Sequence, residues 1–241
     1  MAGHSKWANI RHRKGRQDAL RGKKNTKLIR DITVAVKEGG DDVSSNPRLR
    51  LALEKANKAN VTKDSIKRAI DKGAGNIDGE SYQEVVYEGY GPSGVAVMVF
   101  CMTDNKNRTV AEVRHAFSKY GGNLGTSGSV DYLFSRKGVI VVLEVDDEDV
   151  LIDSALESGC EDVSSSGDRE FVVQTDPQNF DAVLSALQTA GYQIDKAELS
   201  WVPLTEMPLD EGQMDKLMVL QDALEDLDDC QSVYTNVGFA S

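Results

Sequence analysis

A multidomain α+β chain is predicted by three features of this 241-residue sequence. Helical periodicity dominates residues 1–79 and gives way to alternating strand patterns from residue 80 onward. The charge divides at the same place: residues 1–79 carry 19 Lys and Arg against 9 Asp and Glu, and residues 80–241 carry 9 against 30. Within the second part, one block runs strand, helix, strand, strand, helix, strand without interruption. The expected architecture is an N-terminal three-helix domain with a basic arm, then two small α/β sandwiches, one inserted in the other.

The helices come first. In TKLIRDITVAVKE (26–38), Leu28, Ile29, Ile32, Ala35 and Val36 fall on one face, and Gly39-Gly40 stops the helix. Asn46-Pro47 opens the second, pairing a capping residue with proline at the first helical position. Thr62 opens the third, with Val61 and Ile66 spaced as a hydrophobic staple. Each helix is short and amphipathic, so the three need one another to bury their stripes.

From residue 80, YQEVVYEGYGPSGVAVMVFCMT reads as two strands around a Gly-Pro-Ser-Gly turn. A helix is expected over 109–120, with Thr109 and Glu112 at capping-box spacing, followed by a strand SVDYLFS (129–135). The block 136–204 then supplies a strand at 139–145, a helix at 147–158, hairpin strands near 161–163 and 170–174, a helix at 178–190 and a strand at 196–202. That βαββαβ order is ferredoxin-like. A helix near 210–227 and a strand near 232–237 complete the chain. The bookkeeping predicts a helical domain (1–79), a discontinuous α/β domain (80–135 plus 205–241) and an inserted ferredoxin-like domain (136–204).

Composition narrows the function classes. No apolar run approaches the ~18 residues of a bilayer span, and the N-terminus lacks a signal peptide's apolar core. Residues 1–24 are Arg-rich and acid-poor, as a mitochondrial presequence is, but lack its apolar helical stripe. Cys101, Cys160 and Cys230 are odd in number and far apart, which fits neither a disulfide framework nor a zinc ladder. A reduced, cytoplasmic protein is expected.

No constellation points to catalysis. The glycine-rich GPSG turn has no lysine, and GGNLGTSGS leaves a helix for a strand, the wrong polarity for a dinucleotide loop. His115 has no ligand at metal spacing, and no Gly-x-Ser-x-Gly elbow occurs. The acidic clusters EVDDEDV (144–150) and LEDLDDC (224–230) read as solvated faces rather than calcium loops. No catalytic residue, metal, cofactor or small-molecule substrate is expected, and the oligomeric state is left open.

The basic arm is different in kind. Lys6, Arg11, Arg13, Lys14, Arg16, Arg21, Lys23, Lys24, Lys27 and Arg30 place ten cations in 30 residues. Such density repels itself unless a polyanion is near, and phosphate contacts release condensed counterions. Trp7 can stack on an exposed base, and His12 can reach a phosphate. These twelve residues are the candidate nucleic-acid contacts. A solvated arm, or one lying on the acidic part of its own chain, is the competing expectation.

The motifs MAGHSKWANIRHRKGRQDA, TKLIRDI, NPRLRLALEKA, YEGYGPSGVAV and NRTVAEVRHAFSKYGGNLGTSGSVDYLF resemble the YebC family, in order and through most of the chain. The resemblance implies a helical N-terminal domain followed by two α/β domains. It also implies a DNA-binding transcriptional regulator, or, as for the family's mitochondrial translational activators, a translation factor on ribosomal RNA. Nucleic-acid contact transfers onto HSKW, RHRK and the positions that follow, to residue 30. One departure is Asn25, where the family pattern has an aromatic. The expected function is a non-enzymatic regulator of gene expression, DNA-bound or, alternatively, ribosome-bound. An enzyme with an unrecognised site and an adaptor for an acidic protein partner are the other two classes.

Overall fold

The computed structural model describes residues 21–77, 82–167 and 169–239, which form two compact units. One unit contains the described residues up to Val130 together with Glu211–Val233. The other contains Asp131–Asp210 with the described residues from Tyr234 onward.

The first unit begins with helices α1 (Arg21–Gly39), α2 (Pro47–Lys58) and α3 (Lys63–Gly73). Both α2 and α3 pack on α1, burying Ile32, Val36, Leu49, Ala56 and Ala69. The capping residues are those the sequence marks. Thr62 Oγ1 accepts from Ser65 N at 3.3 Å. Asn46 Oδ1 accepts from Leu49 N at 3.0 Å, while its amide donates to Ala35 O and Gly40 O at 2.8 Å each. One buried side chain thus starts α2 and closes the end of α1. Gly39 is required beside it, because a Cβ there would lie 2.7 Å from Asn46 Nδ2. Asn25 continues the apolar face of α1, and its Oδ1 is buried without a hydrogen-bond partner.

The same unit holds a sheet of order β3-β1-β2-β9, from β1 (Gln83–Tyr90), β2 (Ala96–Thr103), β3 (Asn123–Leu124) and β9 (Cys230–Thr235). Strands β1 and β2 form the expected antiparallel hairpin around Pro92–Gly94. Helices α4 (Lys106–Lys119) and α7 (Glu211–Glu225) pack together; Val113, Phe117, Leu217 and Leu220 are fully buried. The glycine-rich segment after α4 wraps around a buried carboxylate. Glu88 accepts from Gly128 N and Val130 N at 2.8 Å each.

Two local expectations are corrected here. The cap of α4 is Asn105, whose Oδ1 accepts from Arg108 N at 3.1 Å, so Thr109 lies a turn inside the helix. SVDYLFS is not one strand: Asp131–Leu133 is a single 3₁₀ turn, and β4 starts at Phe134 and continues to Leu143. Gly138, which falls between the strands expected at 129–135 and 139–145, lies within β4. A Cβ there would come within 2.5 Å of both Phe180 and Thr175, so the glycine makes room for the next helix.

The second unit is the βαββαβ element. Strands β4, β5 (Asp162–Gly167), β6 (Glu170–Thr175) and β7 (Gln193–Pro203) pair antiparallel in the order β5-β6-β4-β7. That is the ferredoxin-like order. Helices α5 (Glu148–Glu157) and α6 (Phe180–Thr189) contribute Leu151, Ala155, Val183 and Leu187 to a core with Ile140, Val142, Phe171 and Val173. A short parallel pair not expected from the sequence, β8 (Met207–Leu209) with β10 (Val237–Phe239), belongs to this unit.

Replacing Asn46 with Ala removes a helix cap and two donated hydrogen bonds, one of them to the buried Ala35 carbonyl. The expected loss is about 2–3 kcal/mol of unfolding free energy by denaturant titration. A loss below about 0.5 kcal/mol contradicts the double role.

Candidate nucleic-acid interface

The twelve candidate contacts fall into three groups. Lys6, Trp7, Arg11, His12, Arg13, Lys14 and Arg16 lie outside the described residues. Arg21 and Lys23 sit in the first turn of α1, and Lys24 is exposed just after them. Lys27 and Arg30 face the sheet of their own unit. Lys27 Nζ donates to Glu225 O at 3.1 Å. Arg30 is only 13% exposed, and its Nη1 donates to Asp228 O at 2.6 Å and to Asp229 Oδ1 at 2.9 Å.

Asp229 is the centre of this arrangement. It stands at the start of β9 with its side chain 1% exposed. Arg108 Nη2, from the first turn of α4, donates to Oδ2 at 2.7 Å. Thr109 Oγ1 donates to the same oxygen at 2.7 Å, and Thr103 Oγ1, at the end of β2, at 3.0 Å. The Asp229 carbonyl meanwhile accepts from Met102 N at 2.8 Å. One carboxylate therefore ties α1, β2, α4 and β9 together. Burial pushes its pKa up, but hydrogen bonds from Arg108, Thr109 and Thr103, with the Arg108 charge, outweigh that and hold it below the ordinary value of 3.8. Arg108 is correspondingly pushed up, chiefly by its hydrogen bonds to Asp229 and Asp104.

This hub corrects the reading of LEDLDDC as a solvated face, since its last aspartate is buried and doubly ion-paired. It also explains Thr109, whose hydroxyl serves the carboxylate rather than a cap. Sequence spacing could not reveal it, because Arg30, Arg108 and Asp229 are each about 80 to 200 positions apart. The other acidic cluster behaves as expected, with Asp147 capping α5 through Val150 N at 3.3 Å.

Further contacts seat the helices against the sheet. Tyr82 lies between two cations, with Arg30 5.1 Å and Lys72 4.7 Å from its ring centroid. Arg48 of α2 bridges Glu38 at 2.6 Å, Asp31 at 3.4 Å and Glu84 of β1. The orientation of α1 on the sheet is thus set by several charged contacts.

Nothing in the described residues is poised as a nucleophile. Cys101 and Cys230 are buried free thiols. Cys101 is pushed far above the ordinary thiol value, first by its contact with Cys230 and then by burial, which keeps it protonated. His115 is exposed on α4. Among the described residues no group of three or more His, Cys, Asp or Glu is placed to hold a metal ion, and no helix is long and apolar enough to cross a membrane.

Replacing Asp229 with Asn keeps the shape but leaves the largely buried Arg30 without a carboxylate and Arg108 with Asp104 alone, an expected cost of about 3–5 kcal/mol. The pH dependence has a definite sign. A carboxylate with a lowered folded pKa contributes fully above its unfolded value and loses that contribution as pH falls through the folded one. Acid unfolding of the native chain below about pH 4 therefore has a component that Asp229→Asn lacks. Identical stability of the two proteins at pH 7 contradicts the hub.

Comparison with known proteins covers nearly the whole chain. Residues 5–76 match the TACO1/YebC protein N-terminal domain, and residues 82–237 match the TACO1/YebC second and third domain. A protein of Aeromonas salmonicida named "Probable transcriptional regulatory protein" is 58% identical over 236 residues, covering 98% of this chain and 96% of its own. A protein of the same name from Nitrosococcus oceani is 54% identical over 240 residues, covering 100% and 97%. The crystal structure of a conserved hypothetical protein from Aquifex aeolicus superposes with a TM-score of 0.80 at 48% identity, covering 93% of each chain.

Proposed function

The chain belongs to the TACO1/YebC family, and on that premise we propose that it regulates gene expression by gripping a nucleic-acid backbone, without catalysing a reaction. The observation that carries this reading is the segregation of charge. Residues 1–79 have ten more cations than acids, in a chain whose total is -11. A polyanion is attracted to such a segment and repelled by the remainder, so the molecule approaches it in one orientation.

The contacts divide the labour. Lys6, Arg11, His12, Arg13, Lys14, Arg16, Arg21, Lys23 and Lys24 meet phosphates, and Trp7 stacks. Lys27 and Arg30, engaged at Glu225 and Asp229, act as anchors that hold α1 in place behind them. Backbone contacts of this kind position a protein without reading bases. The leading target is duplex DNA in the cytoplasm, in transcriptional control, in keeping with the names of the relatives.

A second reading, binding to ribosomal RNA, is favoured by one feature of the helices. In a helix-turn-helix the two helices pack on each other to present the second to the major groove. Here α2 and α3 each pack principally on α1. That arrangement suits recognition of backbone shape, the usual mode for folded RNA.

The test is the salt dependence of binding to a DNA duplex. Replacing Arg11, Arg13, Lys14 and Arg16 with Ala should lower the slope of log K against log salt by about 0.9 for each phosphate that the variant no longer neutralises. An unaltered slope and affinity in the quadruple variant rejects the arm as the point of attachment.

A further inference from the structure

The candidate contacts above end at Arg30, yet the helical domain carries a second group of cations that the fold does not use. Lys55 and Lys58 lie in the last turn of α2, and Lys63, Lys67 and Arg68 lie on α3. All five are exposed, and among the described residues none has an ion pair. Asp64 is the only acidic residue in the interval 55–68. That local excess, five cations to one acid, runs against the balance of a chain with 39 acidic residues and 28 basic ones. Elsewhere Arg30, Arg48, Arg108, Lys137, Arg169 and Lys196 each hold a carboxylate.

Helix electrostatics accounts for only part of the group. Lys55 and Lys58 suit the negative end of α2. Lys63 does the opposite: it occupies the first position of α3, where the helix dipole disfavours a cation. Lys67 follows one turn later, about 6 Å along the axis on the same side. Asn57, in the last turn of α2, and Asn60, in the connection to α3, add exposed amide donors. The scaffold beneath is firm. Thr62 caps α3, and Gly73 lets it approach α1 so closely that a Cβ would lie 2.6 Å from Thr33 O. No aromatic residue lies in the interval, so the surface offers charge and hydrogen bonds without stacking.

We infer that Lys55, Lys58, Lys63, Lys67 and Arg68 form a second, preorganised contact surface for the phosphates of a nucleic-acid backbone, separate from the N-terminal arm. This rests on the reading that the chain binds nucleic acid. It gives the protein two points of attachment, one on the arm and one on the rigid α2–α3 turn. Two separated contacts fix the angle at which the helical domain sits on the backbone, which a single arm does not.

The experiment uses the full chain with Lys55, Lys58, Lys63 and Lys67 replaced by Gln. Its control replaces Lys106, Arg114, Lys119 and Lys216 by Gln, an equal loss of charge at four exposed positions elsewhere. Binding to a short DNA duplex of arbitrary sequence and to the matching RNA duplex is measured across a salt series. The α2–α3 variant should lose up to about 3.6 from the log–log slope on the duplex DNA it contacts, and the control less than about 1. An unchanged melting temperature confirms that the substitutions leave the fold intact. Loss on DNA alone, on RNA alone or on both supports the surface and identifies its source of phosphate. A wild-type slope, or a change no larger than the control's, overturns the inference while the arm reading stands. Absence of salt-dependent binding by the native chain overturns both.

Discussion

The buried pairing of Asp229 with Arg30 and Arg108 is the constraint on which the first unit depends. A carboxylate 1% exposed is tolerable only if its oxygens are fully occupied, and here two arginines and two threonine hydroxyls do so. The partners come from α1, α4 and the end of β2, so satisfying one charge aligns three elements with β9. Arg30 is also the last cation of the N-terminal basic run, so the end of that run is fixed against the sheet. Arg30 is thus held inside the fold, whereas Lys24, about two turns earlier on the same helix, is exposed.

Cations in the helical domain therefore have two fates. Arg30 and Arg48 are consumed by carboxylates, and Tyr82 holds Arg30 and Lys72 near its ring. These contacts stabilise α1 against the sheet. Lys24 and the cations of the α2–α3 turn are left to solvent, on helices whose apolar stripes and caps hold them firmly. Counting basic residues alone merges the two groups. Their partners separate them, and the separation turns a compositional bias into a specific surface.

Local physics made much of the fold readable. The apolar stripes of the three helices, the caps at Asn46 and Thr62, the β1–β2 hairpin and the βαββαβ order all depend on residues close in sequence. The errors arose where a distant partner decided the outcome. Thr109 has good capping spacing, but a carboxylate 120 positions away claims its hydroxyl, and Asn105 caps instead. Gly138 falls between the two expected strands, but β4 runs through it, and Phe180 occupies the space its side chain would need. The β8–β10 pairing joins short segments with little pattern of their own. For the candidate site, the density of basic residues was legible, whereas the internal engagement of Lys27 and Arg30 was not. Their partners, Glu225 and Asp229, lie about 200 positions further on.

The most direct test of the central claim is sedimentation of cell lysate through a sucrose gradient at low and high salt, with this protein followed across the fractions. Nucleic-acid binding through a basic domain predicts comigration with large particles at low salt and release at high salt. Nuclease treatment should also release it: deoxyribonuclease if the backbone is chromosomal DNA, ribonuclease if it is ribosomal RNA. Migration as free protein at low salt, or a heavy complex that survives both nucleases, contradicts the account.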